Sequence, residues 1–315
     1  MKHTVDANFF PGFVRKAITF TIDDGNLSLD RKFLDIVSPA GFRGTFNLCS
    51  DKNTDVTPDA MRAFYRGHEI SNHCKYHTDL LPAECYSRIT DEPFVRETAD
   101  KEKVYPRGVE GLYYYWRRVW WATGGDFSYY CRYEREGKRE LERIFGRGGV
   151  RGYVYPDGDQ KSERLKKYLQ KRGYYGIRIT GCVKDTTGFS FPADRMAWSY
   201  NANYENMTEL GRIYERFPDD GELKFFCFGV HSHDFENAGK WDVLADFAAK
   251  YGNRPETFYY APVGELFDYQ DAVGMLKITE NGVENPSGVD LFLTVDGVRA
   301  TLRAGENYRF PDAMG

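Results

Sequence analysis

Short apolar runs alternate with amphipathic, helix-like stretches along most of the chain. Residues 17–22 are apolar and β-branched, which predicts a short buried strand. Residues 29–37 then repeat apolar positions with the period of a helix, and residues 44–48 predict the next strand. A second helix is predicted at residues 57–65, with a proline in its first turn. Strands that alternate with helices predict βαβ units and a parallel sheet.

The same alternation returns in the second half of the chain. Strands are predicted at residues 150–155, 176–179 and 223–230, with helical patterns between them, and residues 241–251 predict a late helix. A chain of 315 residues is long enough to bury a large core. The pattern and the length together predict the α/β class, with one large barrel.

The chain changes character beyond Met275. Short alternating runs follow, with turn signals at Asn281-Gly282 and Asp296-Gly297. This pattern predicts a small antiparallel β appendage. We therefore expect a barrel over residues 1–274 and the appendage over residues 275–315.

A charged and then aromatic stretch at about residues 93–135 interrupts the α/β alternation. Residues 112–121 would be aromatic almost all round if they formed a helix, so part of that surface needs a partner. Two interpretations have equal weight. The stretch packs against the barrel, or it forms a wall of a substrate groove.

Composition and charge narrow the classes of function. The net charge of −4 gives no reason to expect nucleic acid or an anionic membrane as a partner. Six cysteines without a Cys-x-x-Cys pair indicate neither a zinc knuckle nor a dense disulfide framework. The chain shows no secretory signal pattern and no membrane span, so the cytoplasm is the default expectation. No pattern indicates an oligomeric state.

Two adjacent carboxylates follow the first strand. Asp23 and Asp24 come directly after the apolar run and precede Gly25, which permits a sharp turn. A solvated turn would explain these residues if they stood alone. The alternative is an active site, because α/β sheets and barrels place their chemistry at the carboxyl ends of the strands.

Histidines downstream favour the active site. His73 and His77 are four residues apart, so one helical turn would place both imidazoles on the same face. Two imidazoles and a carboxylate form a common catalytic site for zinc and similar divalent metals. His231 follows the apolar run at residues 223–230, at the same edge as Asp23. His233 is a second histidine at this edge, and we expect it to be a rim residue or an orienting partner.

The combination of four motifs resembles the polysaccharide deacetylase family (NodB homology, carbohydrate esterase family 4). The resemblance covers roughly residues 15 to 270 and implies a distorted (β/α) barrel with fewer than eight regular units. It also implies removal of N- or O-acetyl groups from an N-acetylated carbohydrate, using one divalent metal ion. Zinc is the expected ion, with cobalt, nickel or manganese as alternatives. The motifs are Thr21-Ile22-Asp23-Asp24-Gly25, His73-x-x-x-His77, Tyr155-Pro156-Asp157-Gly158 and the strand-borne His231.

The resemblance also assigns roles to individual residues. It implies that Asp23 is the catalytic base and that Asp24 is a metal ligand together with His73 and His77. His231 would be the general acid. The resemblance also implies that the turn of Tyr155, Pro156 and Asp157 helps to hold the oxyanion, through the backbone amide of Asp157. It implies that Arg178 and Trp198 steady the base or line the pocket.

The sequence departs from the family at two of these motifs. The family often has an arginine just before the proline turn, where this chain has Val154. Many members have serine or threonine after the first metal histidine, where this chain has Cys74. Two other functions therefore stay open: a non-sugar amidase or deformylase of the same superfamily, and a carbohydrate-binding protein that has lost catalysis. The missing secretory signal somewhat favours the amidase, whereas the retained acidic residues and histidines argue against lost catalysis.

Overall fold

The fold is organised around a parallel sheet in which the second strand, β2, is central. The computed structural model describes residues 3–77, 127–156, 163–182 and 189–311. β2 (Lys16–Asp24) is buried along almost its whole length and pairs in parallel with the third, eighth and ninth strands. Both faces of this strand are therefore covered by other parts of the protein.

Within the described residues the main sheet contains eight strands, and every pairing between them is parallel. Their order is β7 (Trp198–Tyr200), β6 (Gly176–Cys182), β5 (Gly152–Val154), β4 (Glu69–Asn72), β3 (Thr45–Leu48), β2 and β8 (Lys224–His231), and β9 (Phe258–Tyr260) pairs with the first half of β2. The sheet curls until the chain after β7 meets β8, where Gly229 donates its backbone N–H to the carbonyl of Ala202.

Helices connect these strands and cover the outside of the curled sheet. The first two begin at capping residues: Asn26 and Thr57 each accept a hydrogen bond from a backbone N–H of the first turn. The helices are α1 (Leu27–Val37), α2 (Pro58–Phe64), α3 (Phe127–Phe145), α4 (Glu163–Lys171), α5 (Met207–Arg216), α6 (Ser232–Ala238), α7 (Trp241–Tyr251) and α8 (Val263–Met275). This arrangement confirms the predicted α/β class.

The two faces of β2 contact different surroundings. Phe20 points toward the helical layer, where its ring packs against Phe33 at 5.0 Å and Phe46 at 5.5 Å between centroids. Thr21 lies on the other face, and its hydroxyl accepts a hydrogen bond from Asn47. The period of two along a strand therefore gives β2 an apolar face toward the helices and a polar face toward the interior of the barrel.

The C-terminal segment forms small antiparallel sheets, as its alternating pattern predicts. β12 (Leu291–Val295) and β13 (Val298–Leu302) make a hairpin around Asp296 and Gly297, both at positive φ. β10 (Lys277–Ile278), β11 (Gly282–Glu284) and β14 (Asn307–Arg309) form a second sheet. The sequence did not predict that the N-terminal strand β1 (Val5–Phe9) joins the first of these sheets by pairing with β12. No helix in the described part of the chain is both long and apolar enough to cross a membrane.

Gly229 in β8 provides a test of how tightly the curled sheet closes. A Cβ at this position would lie 2.3 Å from Cδ1 of Tyr200 and 2.9 Å from Cγ2 of Thr21. We expect Gly229→Ala to lower the free energy of unfolding by about 1–3 kcal/mol, measured by urea denaturation.

Gly274→Ala is the matched control, because its Cβ would meet no atom within 4 Å and the residue is exposed near the end of α8. We expect this variant to keep or slightly raise stability, by about 0.5–1 kcal/mol. Equal stability of the two variants would contradict the close packing at Gly229.

Candidate active site

Asp23 and Asp24 end β2 at the carboxyl edge of the sheet. Asp23 keeps the strand conformation and is 5% exposed, with its side chain inside the barrel. Asp24 has a φ of 81°, in the left-handed region that a non-glycine residue seldom adopts. Such strain is found at functional sites, where the surrounding structure holds it in place. The turn prevents strict alternation, so both carboxylates face the same edge.

Asp24 lies against the two predicted histidine ligands. Its Oδ1 is 3.6 Å from Nε2 of His73 and 3.8 Å from Nε2 of His77. Two ligand atoms that bind one zinc ion at the tetrahedral angle are about 3.4 Å apart, since each lies about 2.1 Å from the metal. The three side chains together meet the spacing of a metal site, with all their ligand atoms within 4.8 Å of one another.

The local hydrogen bonds leave two of these ligand atoms available, one on Asp24 and one on His73. Oδ1 of Asp24 and Nε2 of His73 are buried without a hydrogen-bond partner among the described residues. An unpartnered buried polar atom is costly, and a cation would satisfy both atoms. The ring of His73 is oriented by its other nitrogen, because Nδ1 lies 3.1 Å from the carbonyl oxygen of Val154, to which it can donate. Burial lowers the pKa of His73 to about 4, so its ring is neutral at neutral pH. The donor set therefore fits a divalent metal ion.

The prediction that one helical turn brings His73 and His77 together is wrong. Residues 73–77 form an extended, bent loop after β4, in which Cys74 has a φ of 70°. The backbone N–H of Ser50 bonds the carbonyl of Cys74, and that of Lys75 bonds the carbonyl of Tyr133 in α3. Backbone contacts with these neighbouring segments, rather than helical periodicity, set the position of His77.

Asp23 is held by an arginine and an asparagine. Arg178, from β6 and 1% exposed, donates from Nη2 to Oδ1 of Asp23. Asn47, from β3, donates to the same oxygen at 2.7 Å. Burial alone would raise the pKa of Asp23, but Arg178 and the nearby histidines hold it well below its usual range. Asp23 is therefore ionised at neutral pH, and its other oxygen, Oδ2, lies on the side of His231.

His231 lies on the other side of Asp23. Its Nε2 is 3.9 Å from Oδ2 of Asp23, and its Nδ1 is 3.0 Å from Oδ2 of Asp234. Burial lowers the pKa of His231, but the hydrogen bond to Asp234 and the charges of Asp23 and Asp24 raise it more, to about 9. The imidazole is therefore protonated at neutral pH, with the Nε2 proton directed into the site.

His233 also reaches the site, from the first turn of α6. Its ring stacks on His231 with 4.6 Å between centroids, and its Nδ1 is 4.0 Å from Oδ2 of Asp24. Burial and the charge of His231 lower the pKa of His233. His231 ends β8 and faces Asp23, whereas His233 belongs to the helix that follows.

The remaining predicted site residues are not part of the cluster around Asp23 and Asp24 in the described residues. Trp198 is not brought to this cluster, because its indole is buried against Phe225 and Phe267 in a separate part of the core. Tyr155 and Pro156 are buried directly after β5. Asp157 and most of the aromatic stretch lie outside the described residues, so their assigned roles stay predictions.

Three contacts in the site were not anticipated from the sequence. Asn47 bonds Asp23, Asp234 bonds His231, and Nζ of Lys52 lies 3.5 Å from Oδ2 of Asp24. Asp234 lies three residues after His231 in the sequence, and among these three contacts only this short spacing could have indicated the partner. The arginine that bonds Asp23 comes from β6, and not from the position of Val154 just before the proline turn.

Comparison with known proteins supports the fold and the reaction class. Residues 12–110 match the family model described as polysaccharide deacetylase. The chain is similar to a Mycobacterium smegmatis structure described as a candidate polysaccharide deacetylase, with 15% identity, a TM-score of 0.50 and coverage of 86% of this chain and 95% of that one. A CE4 esterase from Streptococcus mutans has 16% identity, a TM-score of 0.45 and coverage of 79% and 86%.

A peptidoglycan deacetylase from Bacillus subtilis has 14% identity, a TM-score of 0.43 and coverage of 82% and 92%. No curated protein matches the chain. The predicted resemblance, the NodB-type (β/α) fold and the class of hydrolase acting on acetyl or amide groups are confirmed.

The ion pair between Arg178 and Asp23 can be tested through stability. Arg178→Met leaves an ionised carboxylate buried without its cation, so we expect the free energy of unfolding to fall by about 3–5 kcal/mol in urea denaturation. Adding Asp23→Asn removes that charge, and the double variant should recover a large part of the loss. A double variant that is as unstable as, or less stable than, Arg178→Met would contradict a direct pairing.

Proposed function

We propose, from the premise that this chain is a polysaccharide deacetylase-like hydrolase, that it removes N-acetyl or O-acetyl groups from a sugar or polysaccharide with one divalent metal ion. The observation that carries the proposal is the placement of unpartnered ligand atoms on Asp24 and His73 next to a buried, arginine-paired Asp23. His231 completes the arrangement from the opposite side. Zinc is the ion that this donor set suits first.

Asp24, His73 and His77 would hold the metal ion. When bound, a divalent cation polarises the acyl oxygen and lowers the pKa of water. The three side chains already converge, and the hydrogen bond from His73 to Val154 fixes which ring nitrogen faces the ion. Their preorganisation lowers the cost of binding.

Asp23 acts as the base in this proposal. Its Oδ2 accepts the proton of the attacking water as the carbon–oxygen bond forms. Arg178 and Asn47 both bond Oδ1, so they leave Oδ2 as the reactive atom and fix its direction. The low pKa of Asp23 ensures that the carboxylate is ionised, although it also weakens the base. A cation held by Asp24, His73 and His77 would offset this weakness by lowering the pKa of the water.

His231 acts as the acid. An amide nitrogen is a poor leaving group until it is protonated, and Nε2 of His231 carries a proton at neutral pH. Asp234 holds the opposite ring nitrogen and so fixes both the orientation and the protonation of the imidazole. Donation of the Nε2 proton to the departing nitrogen releases the amine of the sugar and leaves a neutral ring.

The first experiment measures acetate release from N-acetylated chitooligosaccharides, beside a panel of small non-sugar amides. We expect one divalent ion per chain, loss of activity on chelation and recovery on adding zinc. His77→Ala should lower metal content and activity together, whereas His3→Ala, a histidine near the N-terminus, should change neither. Turnover of the small amides alone would favour the amidase, and full activity in the metal-free protein would contradict the mechanism.

The pH profile tests the acid. His231 must be protonated to act, and its pKa is raised to about 9, so activity should fall as the pH rises through that value. Asp234→Asn weakens the interaction that raises this pKa, so the basic limb should move to lower pH. His231→Ala should lower kcat by about 10²-fold or more without loss of metal. A basic limb that disappears in His233→Ala but persists in His231→Ala would assign the acid to His233.

A further inference from the structure

A second cavity lies at the opposite end of the barrel from Asp23 and Asp24. It has a volume of about 1000 Å³ and lies between the amino ends of the parallel strands, α8 and the C-terminal sheets. Glu69, which begins β4, lies in its wall. His73 follows the other end of the same strand, about 13 Å away along four residues. The two sites are therefore separate.

Glu69 presents one carboxylate oxygen to this cavity. Oε2 accepts hydrogen bonds from the hydroxyl of Thr45 at 2.7 Å, the N–H of Gly264 at 2.9 Å and the hydroxyl of Tyr175 at 3.2 Å. Oε1 accepts none from the described residues. A Cβ on Gly264 would come within 2.4 Å of Oε1, so the glycine keeps the space beside that oxygen open.

The charges around the cavity are unbalanced. Arg43 forms two hydrogen bonds with Glu265, at 3.3 and 2.7 Å, and Arg151 forms two with Asp268, at 2.7 and 2.6 Å. Both arginines are thus engaged with carboxylates. Glu69 and Asp290, which also line the cavity, have no ion pair within the described part of the chain. The cavity therefore favours a ligand that brings positive charge and hydrogen-bond donors.

Aromatic side chains supply the rest of the recognition surface. Tyr259, Tyr269 and Phe292 line the cavity beside His68. The ring of His68 is neutral, because burial lowers its pKa to about 4, and its Nδ1 accepts a hydrogen bond from the N–H of Gly44. Such rings can contact the apolar faces of a sugar, while the neighbouring carboxylates and guanidinium groups bond its hydroxyls.

We propose that this cavity binds a protonated amino sugar, with its ammonium group at Oε1 of Glu69 and its hydroxyls at the arginine–carboxylate pairs. The inference rests on the proposed function, because removing an N-acetyl group from a sugar produces such an amine. The same chemistry is present in a free amino sugar and in a deacetylated unit of a polysaccharide. The cavity would thus bind product away from the site of the reaction.

Calorimetric titration of the Asp23→Asn protein tests the proposal without turnover. At a pH of about 6, where the amine is protonated, we expect glucosamine to bind at least tenfold more tightly than N-acetylglucosamine or glucose. A fully deacetylated tetrasaccharide that binds more tightly than glucosamine would identify the polysaccharide as the source. A tetrasaccharide that binds no more tightly would identify the free sugar. Equal binding of all three monosaccharides, or none, would overturn the proposal.

Variants of the cavity separate binding from structure. Glu69→Gln keeps an acceptor for Thr45 and Gly264 but removes the charge, so in the Asp23→Asn background it should weaken glucosamine binding at least tenfold. Asp290→Asn, at the exposed rim, should weaken binding less and provides the test if Glu69→Gln does not fold. Glu256→Gln, an exposed carboxylate outside the cavity, should leave binding unchanged.

These titrations distinguish binding in the cavity from binding at the catalytic site, and they do not require an active enzyme. If glucosamine occupied the catalytic site as a product, its affinity would survive both Glu69→Gln and Asp290→Asn, and that outcome would overturn the proposal. A wild-type protein that releases no acetate would instead refute the proposed function, while the titrations would still decide whether the cavity binds an amine.

Discussion

Two adjacent carboxylates buried at the end of one strand are the constraint on which the rest of the site depends. Each negative charge loses its hydration there, and two of them repel each other, so the fold must supply compensating groups nearby. Arg178 meets Asp23 from β6 and Lys52 approaches Asp24 from a loop. The carboxylates thus have different environments: Asp23 is bonded by fixed donors, whereas Asp24 retains a buried oxygen without a partner. That difference suits Asp23 to the proposed role of base and Asp24 to the proposed role of metal ligand.

The curled parallel sheet makes this compensation possible. Neighbouring strands place their carboxyl ends at one edge, so side chains from β2, β3, β6 and β8 meet although they are far apart in sequence. Arg178 is 155 residues from Asp23 but reaches it from inside the barrel. The opposite edge of the same sheet gathers a different set of charges around Glu69. One sheet therefore positions two groups of carboxylates, with β4 joining them.

Much of the architecture could be predicted because the central strands are buried and their sequences are short runs of apolar or β-branched residues. Asp23 and His231 stood out because each interrupts such a run at its end. The roles of Asn47 and Asp234 could not be predicted, since an ordinary polar residue becomes a partner only through tertiary contacts. The helical spacing of His73 and His77 was misleading for a related reason: the loop that contains them is shaped by Cys74 in a left-handed conformation and by backbone hydrogen bonds to other segments. The pairing of β1 with β12 joins the two ends of the chain, and no local pattern encodes it.

Asp23 is proposed to be the base and Asp24 a metal ligand, and one paired measurement tests these two roles directly. Metal content and acetate release are determined for Asp23→Asn and Asp24→Asn, after circular dichroism has shown that both variants fold. We expect Asp23→Asn to retain the metal and to lose most turnover, because this substitution removes a base and not a ligand. Asp24→Asn should lose both metal and turnover. Loss of metal in Asp23→Asn, with metal retained in Asp24→Asn, would contradict the roles proposed for the two carboxylates.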